Sequence, residues 1–273
     1  MEQLEHPLWI VDTANSVFGP SVAVLLGMLG FDLSHAEHII PNYLVISGVI
    51  VLAVTAGCTL IKSQLSVENP GRVQLLLEGG LSALYGLLED TVGSKGRRYA
   101  TLVGTVGLFI LLCNLSGLVP GLMAPTSNIN VTLGCAITVF VYYHFHGVKE
   151  QGVVAYIKHF AAPPGAPMWI APIYFPVEVI SHCSRVLSLS VRLFGNVFGE
   201  ELVILILFSI VPFIIPLPMM LLGIVTGSLQ AFIFVMLTMI YLQGAVTVDH
   251  DHDRDHDEKV HARGDAVVAA ASA

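Results

Sequence analysis

Two apolar stretches near the end of the chain, residues 173–210 and 217–245, are each longer than a lipid bilayer is thick, and they limit the fold more than any other feature. About 20 apolar residues cross a hydrocarbon core of about 30 Å, whereas residues 173–210 would extend about 57 Å as a helix. Either the two helices tilt steeply or part of each lies outside the hydrocarbon. Inside a bilayer only helices and closed barrels satisfy their backbone groups. No segment has the short apolar and polar alternation of a barrel strand, so helices are expected throughout. The composition agrees: 12% of residues are charged, half of the about 25% usual in soluble domains, and 55% are hydrophobic.

The same reasoning places a first span at residues 43–61, then spans at 100–118 and 131–144, which a Pro/Gly turn, GLVPGLMAPTSNIN, joins as an antiparallel hairpin. A polar segment beginning HGVKEQG leads from there to the two long helices, which VPFIIPLP joins as a tilted hairpin. Residues 73–88 alternate at helical period, with Gln74, Glu78, Ser82 and Glu89 interrupting the apolar side, and read as an amphipathic helix at the membrane surface. Residues 17–30 are too short and too glycine-rich for a span and read as interfacial or re-entrant. The expected fold is an all-α integral membrane protein with about five transmembrane helices and one interfacial helix.

Lysine and arginine set the orientation. The first forty residues and the turns at 119–130 and 211–218 contain none. Lys62, Arg72, Lys95, Arg97, Arg98, Lys149, Lys158, Arg254, Lys259 and Arg263 all fall on the opposite side of a five-span chain. This gives an external N-terminal segment (1–42), a membrane domain (43–245) and a cytoplasmic tail (246–273). The tail alternates His with Asp; it can bind divalent metals weakly but reads as a solvated, disordered end without a part in the main function. The acidic start, MEQLEHPLWIVD, lacks the basic segment of a signal peptide. Cys58, Cys113, Cys135 and Cys183 stand singly in apolar segments, which fits packing and no metal or cofactor. The net charge of −8 and the lack of a basic stripe speak against nucleic acid.

One helix of the final pair carries an unusual stripe: Glu178, Ser181, Arg185, Ser188, Arg192, Asn196 and Glu200 recur at steps of three or four, and Glu201 lies beside the last. Its ends are about 33 Å apart on an ideal helix, comparable with the hydrocarbon thickness. Ionisable groups in a bilayer are costly, so they face protein or water and mark ion pathways. Arg185 sits where it can snorkel to an interface or join the stripe. Arg192 is deeper. Its guanidinium stays charged even when desolvated and cannot pass on a proton, but it can hold a carboxylate ionised and block direct leakage between two polar half-paths. Adjacent carboxylates repel, which suits Glu200 and Glu201 to loading and releasing protons, though capping or pairing with a neighbouring subunit also accounts for one of them. Glu178, Ser181, His182 and Ser188 can line a second polar path on the cytoplasmic side. On the last helix, Gln230 fits interhelical hydrogen bonding or path lining equally well.

LSLSVRLFGNVFGEELVILIL, followed by LQAFIFVMLTMIYL, resembles subunit a of the F-type ATP synthases, the membrane stator of a rotary motor. NLSGLVPG, NINVTL and IAPIYFPVEVIS also resemble that family, so the likeness spans residues 73–245. It implies that Arg192 is the essential arginine facing the proton-carrying carboxylates of a c-ring, with protons entering and leaving by two aqueous half-channels. It further implies that Glu201 is the inlet-channel glutamate, that Asn196 and Gln230 are polar groups near the arginine, and that Glu178, Ser181 and Ser188 lie on the cytoplasmic path. The partners implied are the c-ring, the subunit b stalk, the F1 sector and membrane lipid, in a bacterial inner membrane. Some relatives have glycine at the Glu200 position and histidine at the Gly223 position, so the titratable group looks exchanged between the two helices. Gly117 replaces an acidic turn residue of some relatives, and the His/Asp tail has no counterpart.

The competing reading is a secondary ion-coupled transporter with the stripe at its midplane binding site. The chain shows neither an internal repeat nor matching broken helices, and a purely structural anchor leaves Arg192 and Glu201 without cause.

Overall fold

A computed structural model of the chain describes residues 9–28, 40–62, 65–66, 70–93, 96–119, 122–154, 156, 171–210 and 215–246. Among these residues there are seven α-helices and no strand: α1 (Trp9–Met28), α2 (Asn42–Lys62), α3 (Arg72–Val92), α4 (Ala100–Ser116), α5 (Ile129–Gln151), α6 (Ala171–Ile210) and α7 (Pro216–Val246). Five helical segments are long and apolar enough to cross a membrane: α2, α4 with the 3-10 turn Gly96–Tyr99 before it, α5, α6 and α7. These are the five spans the hydropathy predicts, and α6 and α7 are the two longest helices. The His/Asp tail, most of the polar loop before α6 and residues 211–214 of the α6–α7 connection lie outside the described residues.

Three expectations need correction. Residues 17–28 do not form a short segment of their own; they continue a helix that starts at Trp9. Asn15 on that helix clamps the chain entering α2, donating Nδ2 to the Ile40 carbonyl (3.1 Å) and accepting the Ile40 N–H (2.9 Å). The polar segment from His146 is helical to Gln151, because its side chains find partners: Glu150 pairs with Arg98 (2.8 Å) and Gln151 Nε2 donates to the Ala245 carbonyl (2.8 Å). Gly152, at φ +81°, then ends α5 in a conformation that only glycine adopts cheaply. Finally, α4 and α5 do not pair closely as a hairpin; α7 packs against both. Small residues explain that choice: a Cβ at Gly107 of α4 would strike Val235 of α7, and Gly227 of α7 lies against Asn114 of α4.

The core is the shared centre of α4–α7, built from Val103, Ile110, Val139, Leu189, Leu193, Phe234, Met239 and Leu242. α3 lies against α4 and α7 with Leu75, Leu76, Leu77 and Leu81 exposed. Of α6, only 11% of the most apolar stretch is buried. That helix therefore offers most of its surface to lipid or to another chain.

Candidate functional site

The polar stripe of α6 divides when seen in three dimensions. Its two ends are partly covered by α5 and α7, while its middle, Ser188, Arg192 and Asn196, is exposed. Among the described residues Arg192 has neither a hydrogen bond nor an ion pair. Lipid tails offer a guanidinium no acceptor, so a charge held on this open face calls for a polar or anionic group from elsewhere. Asn196, one turn on, donates Nδ2 to Gln230 Oε1 of α7 at 2.9 Å. Gln230 is 3% exposed, and its Nε2 has no acceptor among the described residues. Among the described residues neither Ser188 nor the half-buried Ser181 makes a hydrogen bond through its hydroxyl; the Ser181 carbonyl accepts the Ser184 hydroxyl.

On the C-terminal side of Arg192, about 12 Å along the helix axis, Glu200 and Glu201 diverge. Glu201 Oε1 accepts the Ala124 N–H at 2.5 Å, in the turn between α4 and α5. Glu200 Oε2 accepts the Thr226 hydroxyl of α7 at 2.9 Å. Both carboxylates line a narrow cleft with Asn114, Gly117, Leu118, Gly223 and Gly227. Glycine is what leaves room for them: a Cβ at Gly223 would collide with Glu200 Oε1, and one at Gly117 would lie 2.8 Å from Glu201 Oε1. Asn114 braces the cleft from α4, donating Nδ2 to the Gly227 carbonyl (3.1 Å) and accepting the Thr126 hydroxyl (2.7 Å).

On the N-terminal side, about 15 Å from Arg192 along the axis, a second cluster forms around His182. Its Nε2 lies 3.2 Å from Glu178 Oε1, and its Nδ1 lies 2.8 Å from the Tyr143 hydroxyl of α5. The His144 ring is 5.1 Å from that of His182, and its Nδ1 meets the Tyr156 hydroxyl at 2.5 Å. Tyr156 lies past the Gly152 turn, where burial pushes its phenol up to about 12, so it is neutral at physiological pH. Arg185 lies over the Tyr241 ring of α7, 5.4 Å from its centroid. No group of three or more metal-ligating side chains occurs among the described residues.

The profile of the ATP synthase A chain family matches residues 42–243, which contain α2–α6, both clusters and nearly all of α7. The chain belongs to that family. It is 45% identical over 226 residues to "ATP synthase subunit a" of Citrifermentans bemidjiense, covering 83% of this chain and 94% of the relative. Against "ATP synthase subunit a 1" of Pelobacter propionicus it is 49% identical over 181 residues, 66% of this chain and 77% of the relative. Against "ATP synthase subunit a" of Geobacter sulfurreducens it is 43% identical over 197 residues, 71% and 84% respectively.

For this member of the ATP synthase A chain family, sequence reasoning found the charged groups of α6 and, in Gln230, one partner across the helices, and missed others. Asn114, Thr126, Tyr143, His144 and Tyr156 lie on other elements, and none breaks an apolar pattern as a charge does. A usable signal existed for two of them: His144 and Tyr143 end a predicted span next to a second histidine, His146.

Proposed function

We propose that the chain is the stator subunit of the membrane proton channel of a bacterial ATP synthase, a part of the complex without catalysis of its own. In this reading the exposed face of α6 meets the proton-carrying carboxylates of a c-ring. Arg192 attracts each carboxylate in its ionised form and makes it give up its proton, and a fixed positive charge between the half-channels keeps protons from passing directly. Glu200 and Glu201, with Asn114 and Thr226 around them, serve the inlet half-channel. Glu178, Ser181, His182 and Ser188 serve the cytoplasmic one. Asn196 and Gln230 hold the α6–α7 contact beside the arginine. The subunit b stalk and the F1 sector complete the assembly, with the N-terminal segment (1–42) outside and the tail (246–273) in the cytoplasm.

The observation that carries this reading is Arg192 itself, exposed without an acceptor among the described residues, between two carboxylate-bearing clusters of its own chain. A partner carboxylate answers both its cost and its position. In membrane vesicles holding the whole complex, Arg192→Ala abolishes ATP-driven proton pumping while the complex still assembles. Undiminished pumping overturns the reading.

A further inference from the structure

We propose that protons on the N-terminal side of α6 pass through the imidazole of His182 rather than along water alone, with Tyr143 and Glu178 as its donor and acceptor. The proposal deepens the function above and rests on it. The geometry that supports it is a continuous chain of hydrogen bonds across two helices, Tyr143 Oη to His182 Nδ1 at 2.8 Å and His182 Nε2 to Glu178 Oε1 at 3.2 Å. Protein covers most of the relay: the Tyr143 residue is 2% exposed, and the side chains of His182 and Glu178, at 12% and 19%, each keep an open edge.

The chemistry of each group fixes the direction. An ionised Glu178 only accepts, so the facing Nε2 carries the hydrogen, Nδ1 is the lone-pair nitrogen and the Tyr143 hydroxyl donates to it. The Tyr143 hydroxyl hands its proton to Nδ1 as it takes up the one released at the Arg192 face, so one O–H bond forms as another breaks and the ring becomes an imidazolium. The ring then gives its Nε2 proton to Glu178, whose carboxyl group loses it to the aqueous phase. One N–H bond forms and one breaks. The original tautomer returns by exchange with water at the exposed edge of the ring.

Glu178 on its own helix and Tyr143 and His144 on α5 face His182 directly; Cys183 and Arg185 on α6, Tyr241 on α7 and Tyr156 after the Gly152 turn lie around Tyr143, and Tyr174 lies beside Glu178. Tyr156 has a place made for it: a Cβ at Gly147 would lie 2.6 Å from its ring. It engages His144 Nδ1, holding the second imidazole beside the relay.

ATP-driven pumping in vesicles holding the complex is measured across about pH 5 to 8, where an imidazole titrates, with ATP hydrolysis followed in parallel. His182→Gln lowers pumping about tenfold and removes the imidazole-like inflection from the pH profile, and added free imidazole restores part of the flux. Tyr143→Phe, which deletes one hydroxyl, keeps the inflection but displaces it. An unaltered profile in His182→Gln overturns the proposal, as does a loss that free imidazole fails to relieve. If His182→Gln does not assemble, an unmoved inflection in Tyr143→Phe overturns it. Arg192→Ala, run beside these, separates the two levels. Pumping retained there removes the underlying function, whereas pumping lost there and normal in His182→Gln removes only the relay.

Discussion

Glu200 and Gly223 show how one residue can occupy the place of another. The Glu200 carboxylate fills the space that a side chain at position 223 would take. A titratable group can therefore stand on α6 or on α7 at this point, but not on both without displacement. Glu200→Gly lowers ATP-driven pumping below about a tenth of the unaltered rate, because a proton-transfer group is lost. Gly223→His alone forces an imidazole into the carboxylate and impairs assembly, while the double change Glu200→Gly with Gly223→His recovers part of the pumping. A double variant no better than either single change counts against the exchange. Arg192 is the opposite case, a side chain whose surroundings within its own chain explain nothing about it.

Between helices the polar contacts are few and specific. Thr132 meets Ser190 at 3.0 Å between α5 and α6, Asn196 meets Gln230 between α6 and α7, and Asn114 ties α4 to α7 and to the Pro125–Ser127 turn. Asn114→Ala leaves the buried Thr126 hydroxyl without its acceptor and costs about 1 to 3 kcal/mol. The expected readout is a lower thermal inactivation temperature of the detergent-solubilised complex. An unchanged inactivation temperature shows that the cleft is braced by other means. Helix existence and type were legible in the sequence, because a run of about 20 apolar residues has few alternatives. The pairing of α4 with α7 was not, since it depends on whether Gly107 and Gly227 face larger neighbours, which period alone does not reveal. The last two turns of α5 were hidden for a related reason: His146, Lys149, Glu150 and Gln151 read as a loop until Arg98 and Ala245 are found beside them. The same limit applied to the site, where the charges of α6 announced themselves and Tyr143 and Asn114 did not.

At the scale of the whole molecule, the proposed topology rests on the asymmetry of lysine and arginine. In a chain with its own cysteines replaced by serine, a cysteine at Asp12 reacts with a membrane-impermeant thiol reagent applied to intact cells. One at Ala273 reacts only after the cells are opened. The reverse pattern overturns the topology, and with it the assignment of the His182 side to the cytoplasm.

The open face of α6 also has a shape. Gly195 and Gly199 flank Asn196 on the stretch after Arg192, and no described residue lies within 4 Å of where their side chains would begin. Helices that carry full side chains there mesh ridge into groove and settle at fixed angles. In the proposed function, where a rotating partner passes this face, the two glycines lower the ridge beside Arg192, so the partner meets few cogs there and the strip serves as a bearing with one electrical contact.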